Sequence, residues 1–349
     1  MRVLLTGHEG YIGTVLAERL REHGHDVVGL DTGYFADCVL GPVPEAIPAL
    51  RLDLRDVTPE ALAGFDAVLH LAALCNDPIG NLNPELTYEI NHRSSVRLAQ
   101  AARRAGVERF LFSSSCSLYG AGVGASTDVA DRPFLDENAG FAPVTPYGES
   151  KILAEQDIVR LAGDDFSPVF LRNATAYGFS PRLRGDIVVN DLTASALLTG
   201  EVKLLSDGRA WRPLIHVEDI AAAFVALLEA PREVVHAKAY NIAQTSENYL
   251  IRDVAEVVAE VVPGSRVTFA DNAATDLRDY RVSGDLVAAE VPAFQPQWTV
   301  RKGAEQLVEA YRRHGLTEGS LQGSFLRLRR IRQLTDAGRI DGDLRWSSR

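Results

Sequence analysis

The sequence predicts an α/β fold: a Rossmann-type, doubly wound parallel sheet with a smaller C-terminal substrate lobe and an extra C-terminal helical tail. Three observations carry this reading. Over the first 180 residues, short apolar runs alternate with amphipathic segments of helical length, the pattern of βαβ units. Two of those runs, Ala67–Ala73 and Arg109–Ser113, are almost wholly apolar, as expected of strands covered on both faces. The first run, Val3–Thr6, leads through Thr6-Gly7-His8-Glu9-Gly10-Tyr11-Ile12-Gly13 directly into a helical pattern.

In order, Val3–Thr6 reads as a strand and Ile12–His23 as a helix with Ile12, Val15, Leu16 and Leu20 on one face. Strands follow at Val27–Asp31, Leu50–Leu54 and Ala67–Ala73, then helix Pro84–Ala105, strand Arg109–Ser113, helix Pro146–Leu161 and strand Val169–Arg172. Thr32–Pro48 and Gly120–Thr145 read as long irregular loops rich in Gly and Pro, a length usually kept for binding loops. These elements place a dinucleotide-binding domain in residues 1–180 and a substrate lobe in 181–318, with 217–242 able to pack back on the sheet. Residues 319–349 form the tail.

Composition narrows the class. At 349 residues, 46% hydrophobic and 24% charged, the chain has ample material for a large core. A formal net charge of −11 argues against nucleic-acid binding, which needs a basic surface. No apolar run approaches the ~18 residues of a membrane span. Cys38, Cys75 and Cys116 have neither metal-ligand nor disulfide spacing. These features predict a cytoplasmic protein with reduced thiols, no metal site and no membrane partner.

The glycine turn has the context that a dinucleotide site needs. Gly7 and Gly10 let the backbone turn tightly and approach a pyrophosphate, and Gly13 lets helix pack closely on strand. Tyr11 and Ile12 then stand at a helix N-terminus, where free N–H groups favour phosphate. Asp31 ends the second strand, eighteen residues beyond Gly13, where an acid binds the adenosine ribose hydroxyls. Its carboxylate would repel a 2′-phosphate, so NAD is expected rather than NADP. Asp53 and Leu54, after the third strand, are placed to meet the adenine.

Tyr147-Gly148-Glu149-Ser150-Lys151 sets Tyr147 and Lys151 on one helix face. A nearby ammonium lowers the pKa of a phenol, making it a usable acid/base. The chain has only four lysines, at 151, 203, 238 and 302, and this one follows the strand that ends in Ser113-Ser114-Ser115-Cys116-Ser117-Leu118-Tyr119-Gly120.

With these motifs in place the chain resembles the extended short-chain dehydrogenases/reductases, in particular the NAD-dependent epimerase/dehydratase group acting on nucleotide sugars. The resemblance spans about residues 1–315, through Thr6–Gly13, Asp31, His70–Ala73, Asn91, Ser113–Gly120, Tyr147–Lys151, Leu171–Gly178 and Arg212–Asp219. It implies Ser115 as the catalytic hydroxyl, Tyr147 as acid/base and Lys151 as the holder of the nicotinamide ribose. It places Leu71, Ala72, Ala73 and Ser113 along the cofactor, with Asn91 supporting the site. It puts Ser115, Cys116, Ser117, Thr175 and Asn190 on the substrate side. Arg212 falls where the family binds the nucleotide diphosphate, and Arg278 is a second candidate; guanidinium suits phosphate oxygens.

Departures from the family bear on the reaction. Thr175 stands where an Asn is usual. The 4,6-dehydratases of this group carry Asp-Glu after the catalytic Thr, and here Cys116 and Ser117 occupy those positions. The 3,5-epimerases carry a cysteine two before the Tyr; here that position is Ser117. The expected activity is therefore C4 epimerisation of a nucleotide-diphosphate sugar, with a dehydratase, decarboxylase or 4-ketoreductase as alternatives and a non-catalytic NAD-binding regulator further off. The resemblance also implies a homodimer through helices Pro84–Ala105 and Pro146–Leu161, with Leu98, Ile152 and Ile158 as candidate contacts.

The tail lies beyond this resemblance. Phe325, Leu328, Ile331 and Leu334 recur every third residue among Arg327, Arg329, Arg330 and Arg332. That is an amphipathic helix with a basic flank. The acidic body favours docking on protein over an anionic membrane.

Overall fold

The computed structural model describes residues 1–75, 80–121, 132–274 and 276–347, with side chains 272–274 outside the description. Part of the predicted loop Gly120–Thr145, at 122–131, therefore lies outside the described residues.

Seven parallel strands form the main sheet. Along the chain they are β1 (Arg2–Thr6), β2 (Asp26–Leu30), β3 (Ala49–Leu50), β4 (Ala67–His70), β5 (Arg109–Ser115), β7 (Ser167–Asn173) and β11 (Ala239–Ile242). Their order is β11-β7-β5-β4-β1-β2-β3. The strand order reverses between β1 and β4, and such switch points are where open α/β sheets bind ligands.

Strand pleating sorts the core into two layers, because successive side chains face opposite ways. Val3, Leu5, Leu69, Leu111 and Leu171 pack with Leu16 and Leu20 of α1 (Tyr11–Glu22) and with Ile220 and Phe224 of α6 (Val217–Glu229). Their neighbours Leu4, Val68, Phe110, Phe112 and Phe170 pack on the other face, with Leu98 of α3 (Ser94–Arg104) and Ile158 of α4 (Pro146–Val159). Leu98, Ile152 and Ile158 are thus spent inside the chain, at 1%, 7% and 0% exposed, and cannot be the subunit contacts expected of them.

The third strand is shorter than expected: after β3, Asp53 caps a single 3-10 turn, Leu54–Asp56, and this replaces strand pairing. The expected helix Pro84–Ala105 is three pieces. A short α2 (Pro84–Thr87) and α3 flank a π-helical turn, Tyr88–Arg93, a distortion often found at functional sites.

Segment 217–242 runs along α6 and α7 (Arg232–Val235) into β11, an edge strand of the main sheet. A second core gathers Leu192 of α5 (Val188–Thr199), Leu204 of β9 (Glu201–Ser206), Leu214 of β10 (Trp211–His216), Val254 of α8 (Ile251–Val261) and Leu307 of α10 (Val300–Arg313). Beside it lie β8 (Thr175–Tyr177), β12 (Asn248–Leu250) and β13 (Arg266–Ala274). The pairs β6 (Phe134–Leu135) with β14 (Arg281–Val282), followed by α9 (Asp285–Glu290), complete the body.

The tail forms α11 (Glu318–Ser324) and α12 (Arg327–Asp336). Leu321 and Phe325 join the second core. Ile331, Leu334, Ile340 and Leu344 make a small core of their own with Tyr34 and Leu86. Phe325, Ile331 and Leu334 of the expected stripe thus dock on the chain itself, but Phe325 lies between two helices, Leu328 is only half-buried and joins neither core, and Arg327 of the basic flank points inward and is 1% exposed. Among the described residues, no helix is long and apolar enough to cross a membrane.

Candidate active site

The carboxyl ends of the sheet strands open on a cavity of about 680 Å³, within the range of cofactor and substrate sites. Its lining includes Gly7, Gly10, Tyr11, Ile12 and Gly13 of the glycine turn, and Asp31, Asp53 and Leu54. Leu71, Ala72, Ala73, Ser113, Ser115, Ser117, Tyr147, Lys151 and Thr175 line it too, as do Arg212 and Arg278.

The glycine turn has no room for side chains. A Cβ on Gly13 would stand 2.1 Å from the Gly7 carbonyl oxygen, and one on Gly7, at φ +76°, 2.9 Å from the Ala72 nitrogen. Gly10 caps α1 without a side-chain hydrogen bond, so the helix N-terminus keeps donors for an anion. Asp31 accepts hydrogen bonds from the Gly33 and Glu9 backbone N–H groups at 2.8 and 3.1 Å, while burial pushes its carboxyl up. Asp53 lines the cavity too, but both its oxygens are engaged by the Arg55 guanidinium at 2.6–2.9 Å.

A buried polar chain ties this turn to α4. Thr6 Oγ1 accepts from the Leu71 and Ala72 N–H groups, both at 3.1 Å. Its own proton therefore goes to His70 Nδ1, 2.7 Å away. Ser95 donates to the Asn91 carbonyl at 2.7 Å, so its oxygen accepts from His70 Nε2 at 2.8 Å. The imidazole is neutral, with its proton on Nε2, and burial holds its pKa down at about 3. From the π turn, the Asn91 side chain accepts from Leu74 N–H at 2.8 Å and donates to the Ser150 hydroxyl at 3.3 Å. Asn91 thus braces the loop after β4 against α4.

Thr145 caps α4 through the Gly148 N–H. Four residues apart, Tyr147 and Lys151 share a face, and the ammonium lies 5.9 Å from the phenol ring centroid. Lys151 Nζ donates to the Ser113 carbonyl at 2.7 Å and sits over the Phe112 ring at 4.6 Å. Burial lowers its pKa to about 8. The helix is clamped to β7 by the buried pair Arg172–Glu155, at 2.8 Å. Ser115, at the end of β5, donates to the Ser117 hydroxyl at 3.0 Å.

Two expected substrate residues are elsewhere. Cys116 is 1% exposed, with its thiol donating to the Arg172 carbonyl at 3.1 Å, and burial raises its pKa. It is a packing residue behind β5, because the 3-10 turn Cys116–Tyr119 swings Ser117 rather than Cys116 toward the cavity. Asn190 is fully buried and spends its amide on the backbone of Gly178 and Arg184, which orders the loop after β8 instead of lining the cavity.

Arg212 and Arg278 converge on Asp276, at 2.5 and 3.0 Å. Sequence reasoning missed Asp276, and also Asn173, Arg184, Asp186, Lys203 and Tyr280, all of which line the cavity. Asn173 donates to Ser113 Oγ at 3.0 Å, and its Oδ1 is buried with no protein partner among the described residues. It is an acceptor, on a residue that shares Ser113 as a partner with Lys151, and suits an amide such as a carboxamide. The glycine turn, the uncapped helix, Asp31 and this acceptor all fit NAD.

The comparisons with known proteins agree with this geometry. Residues 3–243 match the NAD dependent epimerase/dehydratase family. A UDP-glucose 4-epimerase of Mycolicibacterium smegmatis is 29% identical over 89% of this chain and 99% of its own. UDP-glucuronic acid decarboxylase 1 of Arabidopsis thaliana is 26% identical over 93% of this chain and 72% of its own. The structure of MoeE5 in complex with UDP-glucose and NAD superposes with a TM-score of 0.75, at 28% identity, over 90% of this chain and 99% of that one. With its glycine turn, Asp31 and the Tyr147–Lys151 face gathered at one switch point, the chain belongs to the NAD dependent epimerase/dehydratase family.

Proposed function

We propose that the protein is a nucleotide-diphosphate-sugar 4-epimerase. The observation that carries this reading is the polar end of β5: beyond Ser115 stand a buried thiol, Cys116, and a hydroxyl, Ser117, with no carboxylate at either position. An enzyme that expels water from the sugar needs an acid and a base beside the carbonyl-forming carbon. Here Tyr147 is the acid/base at that place, which suits proton movement at a single oxygen.

In this reading Arg212 and Arg278 take the diphosphate, and Asp276 holds their guanidinium groups in place between turnovers. Ser115 and Ser117 orient the sugar hydroxyl toward Tyr147. The Tyr147 phenolate, favoured by the Lys151 ammonium, takes the 4-hydroxyl proton and later returns it. NAD, held by the glycine turn, Asp31 and Lys151, would supply the acceptor and donor for the C4 hydride. As pH rises through about 8, Lys151 loses its charge, so kcat is expected to fall on that limb.

The test is to incubate the NAD-loaded protein with UDP-glucose and UDP-glucuronic acid and follow the products by NMR and mass. Epimerisation yields C4 isomers of unchanged mass, with no solvent deuterium at C4. Tyr147→Phe should keep NAD binding and lose roughly 10²–10⁴-fold in turnover. A product lighter by water or carbon dioxide, or stoichiometric consumption of reduced cofactor, would overturn the reading.

We also infer a homodimer. Across the outer face of α3, the π turn and α4 run Tyr88–Glu149 and His92–Asp157 pairs, at 2.6 and 2.7 Å, with half-buried Val96 and Leu153. That face, rather than Leu98, Ile152 or Ile158, would make the contact.

A further inference from the structure

Arg327 is a buried charge with an unfilled donor. It opens α12, is 1% exposed and lines the cavity. Nη2 donates to the Arg182 carbonyl at 2.9 Å, and the guanidinium lies over the Phe35 ring at 4.2 Å. Nη1 is buried with no hydrogen-bond partner among the described residues, and no described carboxylate forms an ion pair with Arg327. The Asp186 carboxylate attracts Arg327 without forming an ion pair with it, and is already held by Arg184 at 2.9 Å. Burying a guanidinium with no carboxylate in contact is costly, and a buried donor left unpaired adds to that cost. An anion in the cavity removes both penalties.

The surroundings of Arg327 say which anion. Phe35 lies four residues beyond Asp31. Arg182, whose carbonyl holds Arg327, is linked through the Ser180 hydroxyl to the Tyr11 carbonyl, at 3.3 and 2.8 Å. Tyr11 is the first residue of α1, whose N-terminus faces the same cavity. The diphosphate pair Arg212 and Arg278 belongs to other elements and has its own partner, Asp276.

The rest of the tail grips the loops at the adenosine end. Tyr34 donates to the Leu344 carbonyl. Trp346 Nε1 donates to the Thr32 carbonyl at 2.7 Å, and Arg345 pairs with Asp56 and lies 3.6 Å from Asp53. We propose that the C-terminal segment is part of the cofactor site, with Arg327 donating to the pyrophosphate of NAD, so that tail docking and NAD binding stabilise each other.

The test uses full-length apoprotein, stripped of nucleotide, as wild type, Arg327→Met, Arg327→Lys and, as a control, Arg332→Ala at an exposed position of the same helix. Calorimetry measures NAD, ADP-ribose and adenosine on each, and UDP on the NAD-saturated protein. Arg327→Met should weaken NAD and ADP-ribose roughly 10–100-fold, the range for a hydrogen bond to a charged group. Adenosine and UDP should bind as before, Arg327→Lys should show only part of the loss, and Arg332→Ala should bind NAD like wild type. The ligand-free melting midpoint of Arg327→Met should hold or rise, since an unpaired buried charge has gone.

NAD affinity within twofold of wild type would overturn the proposal. So would a loss shared equally by adenosine, which marks a displaced tail, or a loss confined to UDP, which moves Arg327 to the sugar-nucleotide side. Should Arg327→Met not fold, proteolysis of the wild-type tail decides: NAD and ADP-ribose should protect it where adenosine does not, and equal protection by adenosine refutes the coupling.

Discussion

Acid should unfold this protein partly through one histidine. His70 is 1% exposed, accepts from Thr6 on Nδ1 and donates to Ser95 from Nε2. A second proton on Nδ1 would face Thr6 Oγ1, which already accepts from Leu71 and Ala72. The Lys151 ammonium and burial oppose that charge as well, and the pKa falls from 6.5 to about 3. The sign follows from linkage. Between those two values the unfolded chain binds a proton that the native chain refuses, so stability drops as pH falls. At pH 5 the unfolded state lies about 1.5 units below its own pKa, which removes about 2 kcal/mol relative to neutral pH. The full loss, reached near pH 3, approaches roughly 5 kcal/mol. Urea titrations at pH 7 and pH 5 on wild type and His70→Gln measure it. His70→Gln should be less stable at pH 7, because the neutral network is broken, yet should lose about 2 kcal/mol less than wild type on acidification. Equal acid losses in the two proteins, or an imidazole NMR shift titrating near 6, would refute the argument.

Three further outcomes are expected. Asp31→Ala should weaken NAD by about 1–3 kcal/mol, the cost of unmatched polar partners, and wild type should bind NADP more weakly than NAD by calorimetry; tighter NADP binding would contradict the role given to that carboxylate. Leu334→Ala empties a site 3% exposed among Ile331, Ile340, Leu344 and Tyr34, and should cost roughly 2–5 kcal/mol; an unmoved melting midpoint would mean that the tail melts apart from the body. Light scattering at micromolar concentration should give a dimer mass, and a monomer mass would remove the proposed α3/α4 interface.

Much of the cofactor end could be read from the sequence, because its residues are close together in the chain and their spacing dictates geometry. Gly7, Gly10 and Gly13 follow a strand and open a helix. Tyr147 and Lys151 are one helical turn apart. The alternation Val3, Leu4, Leu5 assigns core layers by pleat alone. Other parts depended on distant segments meeting. Asn173, Arg184 and Asp276 reach the cavity from separate strands and loops, with no local pattern to announce them. Asn190 and Cys116 looked like site residues by position, but a turn and a set of backbone carbonyls took them away from the cavity. In the tail, periodicity correctly marked a helix with Ile331 and Leu334 inward. It could not show that Arg327 also points inward, because a helix's own pattern defines its faces but not what those faces meet. Only the packing of α12 against Phe35 and Arg182 turned one arginine of a basic flank into a buried, half-paired cation lining the cavity.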